Sequence, residues 1–439
     1  MQQLKRELGV FGAMMMGLGS IVGTGIFVSV GIGAGIVGPA VVLAIALAAG
    51  VATCNGLNSA QLAANHPVSG GTYEYGYRYL NPQLGFVAGW SYLLAKSASA
   101  ATAALGFAGY FLDAMGVEGA TIRIILALGA VITMTAIVLV GIRRSNTANI
   151  IIVSITLFTL GVFIIVGLPN INGANFAPFF PVADATGDSN WMTAIQATLQ
   201  ATALMFVAYT GYGRIATLGE EVHNPRQTIP RAIIITLVVT MLLYIGVAFV
   251  GVGTLGADGL GSAVNTTAAP LEVAAQTFAP AIAPLIAIGA ITAMLGVLLN
   301  LLLGLSRVLL AMGRRADMPP VVARLNADNT TPYVAVLVIG TLIAGLVLIG
   351  DVQTTWSFSA FTVLVYYSLT NLSALQLSDD ERLFPRWLAY LGLSACLFLA
   401  FWVDTNIWLI GAGLLLVGLL WQQIANRTFT PIVQKANDA

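Results

Sequence analysis

One lysine of this 439-residue chain lies where a charged side chain is not expected. Lys96 falls inside the apolar segment 83–112, roughly 20 Å from its nearer end if each helical residue adds about 1.5 Å. That depth is too great for the ammonium group to reach water by extending the side chain. Because loss of hydration disfavours the charged form of an amine, we expect Lys96 to bind and release a proton near neutral pH.

Two glycine pairs interrupt apolar segments at matching places in the two halves of the chain. The pairs are Gly23/Gly25 and Gly211/Gly213, and each glycine destabilises a helix interior by about 1 kcal/mol. Matched breaks of this kind predict an inverted repeat whose two discontinuous helices meet near the middle of a membrane. The alternative is that these glycines only allow neighbouring helices to pack closely.

A broken helix at membrane depth exposes backbone groups that can bind charge. Free N–H groups at the start of a half-helix attract an anion, and free carbonyl groups at the end of a half-helix attract a cation. Unwound backbone is tolerated at that depth only where it is buried or lines a cavity. A ligand that carries both charges close together, such as an α-amino acid, fits a site of this kind.

The composition places these features in a membrane protein. Hydrophobic residues make up 58% of the chain and charged residues 8%, whereas a soluble domain carries about 25% charged residues. The high apolar content excludes disorder, and the net charge of zero excludes a nucleic-acid partner. The two cysteines, Cys54 and Cys396, are expected to be packing residues, and no metal-ligand spacing is present.

The apolar segments predict an all-α integral membrane protein with twelve transmembrane helices. A helix needs about 20 residues to cross a bilayer, and twelve segments meet that length or approach it. They are 10–35, 39–64, 83–112, 119–142, 148–169, 191–219, 230–255, 280–312, 332–350, 354–376, 386–403 and 406–425.

The distribution of charge predicts the orientation of the chain. With the N-terminus inside, most lysines and arginines fall in cytoplasmic loops, and the opposite loops are acidic, with Glu272 and Asp351 among their residues. The positive-inside rule therefore predicts a multi-pass protein of the cell membrane with both termini in the cytoplasm.

Four motifs occur in the order typical of the amino acid–polyamine–organocation (APC) transporters, and the chain resembles that superfamily. The first is GSIVGTGIF at 19–27, which matches the signature of the family's first helix. The others are PVSGGTYEY at 67–75, GEEVHNPR at 219–226 with IPRA at 229–232, and SRVLLAM at 306–312 with MPP at 318–320 and TP at 331–332.

The resemblance implies two inverted five-helix repeats, with discontinuous helices 1 and 6, and two peripheral helices. The corresponding divisions are a cytoplasmic N-terminus (1–8), the first repeat (9–169), an external loop (170–190), the second repeat (191–376), helices 11 and 12 (377–425) and a cytoplasmic C-terminus (426–439). Members of the family move amino acids or amines by alternating access, through proton symport or exchange.

The resemblance also implies which residues hold the substrate. Its carboxylate would bind backbone N–H groups and a hydroxyl at Gly23, Thr24 and Gly25. Its ammonium would bind carbonyl oxygens of Ile21, Val207 and Thr210, next to Gly211. Two aromatic residues would lie beside the substrate as packing or gate residues, unless they only pack in the core; these are Phe206 and Tyr209.

Lys96 marks a departure from the family pattern. Proton-coupled members use a lysine in the fifth helix, where this chain has Thr156. We therefore hypothesise that Lys96 supplies the missing cation from the third helix. Two alternatives remain: Lys96 is a structural cation that donates to helix-end carbonyls, or it binds an acidic substrate side chain.

Other polar residues inside the segments are candidates for gating or for a cation site. Arg214 lies near Glu220 and Glu221 and could form an inner-gate salt bridge. Alternatively, it is a cation that snorkels to the membrane surface or pairs with an acid at the inner mouth. The candidates for a cation site are Thr156, Asn300 and Ser306.

These observations favour a secondary transporter of amino acids and not an enzyme. No acidic residue lies in the middle of a segment, which favours a neutral substrate. The expected coupling ion is a proton and no cofactor is expected, while an exchanger, a sodium-coupled carrier and a channel remain alternatives. The expected partners are a small amino acid and the lipid bilayer, and the oligomeric state is open.

Overall fold

The computed structural model describes residues 8–68, 70–140, 146–180, 191–216, 222–326 and 331–429, which contain eighteen α-helices. In the first half these are α1 (Val10–Ile21), α2 (Thr24–Phe27), α3 (Ser29–Val37), α4 (Val41–Asn65), α5 (Thr72–Tyr79), α6 (Pro82–Ala114), α7 (Ala120–Leu139) and α8 (Asn146–Gly167). In the second half they are α9 (Trp191–Tyr209), α10 (Gly213–Ala216), α11 (Pro225–Leu255), α12 (Ala257–Thr266), α13 (Pro270–Phe278), α14 (Ala283–Arg314), α15 (Tyr333–Val347), α16 (Val352–Leu375), α17 (Arg386–Ala400) and α18 (Thr405–Thr428).

Helices occupy every one of the apolar segments, with ends that differ from the predicted ones by a few residues. Within the described ranges, eight segments are long and apolar enough to cross a membrane, and one of them, Thr24–Asn65, includes α2, α3 and α4. Three further helices, α1, α15 and α17, are apolar but shorter. The structure is therefore that of an all-helical membrane protein, and the count of twelve spans stays a prediction.

Helix α6 is central to the bundle. Two residues define the start of α6. Asn81 caps the helix, because its side-chain oxygen accepts from the Leu84 N–H at 2.9 Å, and Pro82 follows at the first helical position. Most of its buried residues are alanine, serine or glycine, which let helix backbones approach closely. The helix packs most extensively on α14 and α16, and this packing holds Lys96 inside the bundle.

The first and sixth segments are both interrupted, and the two interruptions touch. Helix α1 ends at Ile21 and α2 begins at Thr24, while α9 ends at Tyr209 and gives way to a 3₁₀ turn over Thr210–Tyr212. A Cβ atom on Gly211 would lie 2.4 Å from the Ser20 carbonyl oxygen. The glycines thus serve both purposes that the sequence suggested, because they accompany the break and also permit the close contact. The inverted-repeat relation stays a prediction.

The two cysteines are buried and free. Cys396 of α17 lies beside Asn55 of α4, whose side-chain amide nitrogen is 3.2 Å from the sulfur. Asn371 of α16 donates to the Asn55 side-chain oxygen and accepts from Asn58 at 2.7 Å. This buried amide cluster ties α4, α16 and α17 together.

A buried carboxylate joins α5 to the segment after α14. Asp317 is 2% exposed and accepts hydrogen bonds from the Tyr73 and Tyr77 hydroxyls at 2.7 Å. Burial raises the pKa of the Asp317 carboxyl, although the two hydroxyls and the neighbouring Arg315 oppose that rise. Arg315 forms an ion pair with Glu74 and lies over the Tyr77 ring. The α5 end of the bundle is therefore closed by a polar cluster.

We expect Asp317→Leu to lower the apparent melting temperature of the purified protein by about 5–10 °C, because it leaves two tyrosine hydroxyls without an acceptor. Thermal unfolding in detergent would measure the change. Asp379→Asn is the matched control, since the Asp379 side chain is 92% exposed and its ion pair with Arg382 should contribute little. Equal melting temperatures for the two variants would contradict the prediction.

Candidate functional site

A small cavity lies between the two helix breaks. Its lining residues come from both breaks and from three neighbouring helices: Ser20, Ile21, Thr24, Gly25, Lys96, Ser99, Val207, Ala208, Thr210, Gly211, Val297, Leu301 and Trp356. The cavity volume is about 30 Å³, and one water needs at least about 10–15 Å³ on this measure. The cavity therefore has room for a few waters, and an amino acid could enter only if the walls moved apart.

The first break presents a hydrogen-bonding side chain that has no partner in the structure. Helix α2 begins at Thr24, so its first N–H groups have no acceptor within the helix. The Thr24 hydroxyl lines the cavity and is buried without a hydrogen-bond partner. A buried hydroxyl at a helix N-terminus fits an anionic group such as a carboxylate.

Three carbonyl groups named from the sequence are each already bound to a hydroxyl. The Ile21 oxygen accepts from Tyr244 at 3.0 Å, and the Thr210 oxygen accepts from Tyr367 at 3.0 Å. The Val207 oxygen accepts from the Thr210 hydroxyl at 2.7 Å. Because a carbonyl oxygen has two lone pairs, the oxygens of Ile21 and Val207 could each accept one further N–H group. The Thr210 oxygen also accepts from the Gly213 N–H, so both of its lone pairs are used. Two donors of a substrate ammonium could therefore still be bound without breaking an existing hydrogen bond.

Two tyrosines near the breaks were missed by sequence reasoning. The hydroxyl of Tyr244 on α11 is 3.0 Å from the Ile21 carbonyl oxygen and 3.1 Å from that of Ala208, so its one proton is shared between carbonyls at both breaks. The hydroxyl of Tyr367 on α16 donates to the Thr210 carbonyl. The sequence could have indicated both residues, because a tyrosine inside an apolar segment needs a hydrogen-bond partner for its hydroxyl. These hydroxyls connect the breaks to the surrounding helices.

Lys96 lies at the cavity and contacts the second break. Its Nζ donates to the Thr210 hydroxyl at 2.7 Å, and the side chain is 8% exposed. No carboxylate in the described part of the chain is within ion-pair distance of it. The predicted burial of Lys96 is thus observed, and its contact is with the broken helix of the second half.

The two aromatic candidates are core residues that do not line the cavity. Phe206 is fully buried and packs edge-on against Tyr367, with ring centroids 5.6 Å apart. The Tyr209 hydroxyl lies 3.4 Å from the Ile45 carbonyl, on α4. Trp356 takes the place expected of them, since its ring borders the cavity while its Nε1 donates to the Leu204 carbonyl. Gly23 contacts Val297 and does not line the cavity either.

The three cation-site candidates do not meet in the described structure. The Thr156 hydroxyl donates to the Ile152 carbonyl, and the Ser306 hydroxyl donates to the Leu303 carbonyl of the same helix. Only Asn300 reaches the first broken helix, where its amide is 3.5 Å from the Gly19 carbonyl. Within the described ranges, no three His, Cys, Asp or Glu side chains are placed to hold a metal ion.

Arg214 lies on α10, directly after the second break, and is half-buried. Its proposed acidic partners, Glu220 and Glu221, lie outside the described residues. The inner-gate salt bridge therefore stays a prediction.

Known proteins resemble the chain over nearly its whole length. The profile of the family described as amino acid permease matches residues 12–436. An uncharacterized transporter of Mycobacterium tuberculosis is 37% identical over 417 residues, which cover 95% of this chain and 90% of the relative. A branched-chain amino acid permease of Bacillus subtilis is 29% identical over 78% of this chain and 74% of its own length. A methylthioribose transporter of the same organism is 29% identical over 83% of this chain and 80% of its own length.

Proposed function

Since the chain belongs to the amino acid permease family, we propose that it carries an amino acid across the cell membrane by alternating access, with the cavity between the two helix breaks as the substrate site. The observation that carries this proposal is the Thr24 hydroxyl, which is buried at the cavity without a partner. A substrate carboxylate would satisfy it together with the first N–H groups of α2. The substrate ammonium would use the free lone pairs of the Ile21 and Val207 oxygens, and it would reach the Thr210 oxygen only if the hydrogen bond from Gly213 or Tyr367 to that oxygen broke.

The lining of the cavity favours a substrate with a neutral side chain. Among the residues that the structure describes, no carboxylate lines the cavity, and Lys96 is the one charged residue that does. A second positive charge on the substrate would lie near Lys96 without a compensating acid, which is costly inside a membrane. Val297, Leu301 and Trp356 supply apolar wall on the side of α14 and α16, consistent with an apolar substrate side chain.

Proton coupling through Lys96 is the second part of the proposal. The lysine donates to Thr210 at the second break, so a change in its protonation would change a hydrogen bond at the substrate site. The same contact would be used if Lys96 were a structural cation or if it bound an acidic substrate side chain. Sodium coupling or exchange would not require Lys96 to bind and release a proton.

In the proposed orientation, the end of the bundle that carries α5 faces the cytoplasm, and α12 and α13 lie on the outer side.

A thermal-shift screen of the purified protein against the twenty amino acids, methylthioribose and simple amines tests the substrate class. We expect one or more neutral amino acids to raise the apparent melting temperature, because a ligand at about 100 times its dissociation constant stabilises by about 2.7 kcal/mol. Thr24→Val keeps the shape but removes the hydroxyl, and should weaken binding by about tenfold with little change in the melting temperature of the unliganded protein. Stabilisation by amines or by methylthioribose alone, or unchanged affinity in Thr24→Val, would contradict the proposed site.

A further inference from the structure

A glutamate that the sequence assigns to an acidic outer loop is buried. Glu272 lies on α13 and is 2% exposed, and its Oε2 has no hydrogen-bond partner within the described part of the chain. Helices α12 and α13, residues 257–278, form a segment that we call the lid. An ionised carboxylate is stable in such a place only if it is paired or hydrogen-bonded, so the closed lid favours the protonated form of Glu272.

The lid packs closely against the helix that continues from the first break. A Cβ atom on Gly31 of α3 would lie 2.6 Å from a Val264 methyl group and 2.9 Å from the Leu260 carbonyl oxygen. Further along, a Cβ atom on Gly35 would lie 3.1 Å from the Gly261 Cα atom. With contacts this close, the lid and α3 cannot slide past each other without separating. An outward opening of the cavity would therefore lift the lid from α3.

One tyrosine hydroxyl links the lid to the first break next to Glu272. Tyr110 of α6 donates to the Phe27 carbonyl, at the end of α2, at 2.7 Å. The same hydroxyl accepts from the Leu271 N–H at 3.2 Å, one residue before Glu272. Movement of α2 or of the lid would break this link and admit water to the carboxyl group.

One neighbouring charge acts in the same direction as burial, whereas the N-terminus of α13, in whose first turn Glu272 lies, opposes it. Burial raises its pKa to about 8, and the negative charge of Asp113, on α6, adds to the rise. The other titratable groups of α6 are Tyr92, Lys96 and Tyr110, and α12 carries Asp258. Tyr244 of α11 lies further along that helix, and Arg226, Arg231, Arg307 and Arg314 lie at the opposite ends of α11 and α14. Arg123 of α7 donates to the Thr266 carbonyl of the lid. The described part of α8 has no titratable residue.

We propose that Glu272 is a second proton-binding site of the carrier, which takes up a proton when the lid closes and releases it when the lid opens outward. The proposal rests on the proposed function and orientation. In an open, hydrated lid the carboxyl group would return to its ordinary pKa near 4.5. Between that value and about pH 8, closure binds a proton, so a fall in outside pH favours the closed lid and a rise favours the open lid.

The test measures opening of the lid directly. Val264 is buried against α3, so the thiol of Val264→Cys would react with a membrane-impermeant reagent only when the lid lifts. Asn265→Cys places a thiol at an exposed neighbouring position. Its labelling rate gives the intrinsic pH dependence of a thiol, and the Val264→Cys rate is normalised by it. We expect the normalised labelling rate to fall by more than about tenfold between about pH 8.5 and about pH 6, and by up to roughly 70-fold if the lid is mostly closed at both pH values. When Val264→Cys is combined with Glu272→Gln, the normalised labelling rate should stay near its low value, that of about pH 6, at every pH.

Two further variants separate titration of Glu272 from a structural role. Asp258→Asn removes an exposed carboxylate of the same lid and should leave the pH dependence intact. Asp113→Asn removes the neighbouring negative charge and should move the midpoint to lower pH. A normalised rate that does not change with pH, or a pH dependence that survives in Glu272→Gln, would overturn the proposal. The labelling experiment needs no substrate, so it tests the Glu272 proposal separately from the thermal-shift screen, which tests the proposed function. Either proposal can be contradicted while the other is supported.

Discussion

Gly211→Ala is expected to reduce uptake of the substrate by about 100-fold or more, because it forces the two helix breaks apart. The added Cβ would lie 2.4 Å from the Ser20 carbonyl oxygen and 2.5 Å from its carbon, both of which are backbone atoms. No side-chain rotation can relieve that overlap, so α1 must move. Displacement of Ser20 and Ile21 relative to Val207 would misplace the groups proposed to bind the substrate ammonium.

Uptake into proteoliposomes of the amino acid identified by thermal shift would measure this effect. The strain should also lower the free energy of unfolding by about 1–3 kcal/mol. Gly25→Ala should behave similarly, since its Cβ would lie 2.9 Å from the Ala208 Cα atom. Gly161→Ala on α8 is the control, because a Cβ there has no neighbour within 4 Å. Normal uptake by Gly211→Ala would mean that the contact between the breaks is not needed for transport.

Lys96→Gln is expected to abolish substrate accumulation driven by a proton gradient. Glutamine can still donate a hydrogen bond to the Thr210 hydroxyl, but its side chain cannot bind and release a proton. A carrier that moves one proton per substrate accumulates about tenfold across a gradient of one pH unit. The variant should only equilibrate the substrate, and the part of the pH dependence of uptake that comes from Lys96 should be lost, while the part proposed for Glu272 remains.

Uptake into proteoliposomes at several pH values, with and without a gradient, would measure this difference. Ser97→Ala is the matched control, because the neighbouring Ser97 hydroxyl is buried without a partner and does not line the cavity. Unchanged accumulation and an unchanged pH profile in Lys96→Gln would refute coupling and support a structural cation. Loss of affinity for acidic amino acids, with the pH profile intact, would support the third hypothesis, in which Lys96 binds an acidic substrate side chain.

The main predictions from sequence concerned features that depend on local composition. Apolar length predicted where helices lie, and the paired glycines predicted the breaks at 22–23 and 210–212. The depth of Lys96 followed from counting residues along one helix. The roles of Phe206 and Tyr209 could not be predicted in this way, because the direction of a side chain depends on how its helix is rotated against its neighbours. In the structure neither residue lines the cavity, and each contacts a neighbouring helix instead.

The sequence by itself determined that this chain is an all-helical membrane protein of a known transporter family, since apolar segments and ordered motifs are properties of a linear string. Only the tertiary structure decided which groups share the cavity. Tyr244 and Lys96 are far from both breaks in sequence, yet Tyr244 bonds to residues at both breaks and Lys96 bonds to the second. The burial of Glu272 was decided in the same way. A carboxylate in a short polar segment has the sequence pattern of an exposed loop. The Glu272 carboxyl group is excluded from solvent only because α12 and α13 fold back onto α3 and α6.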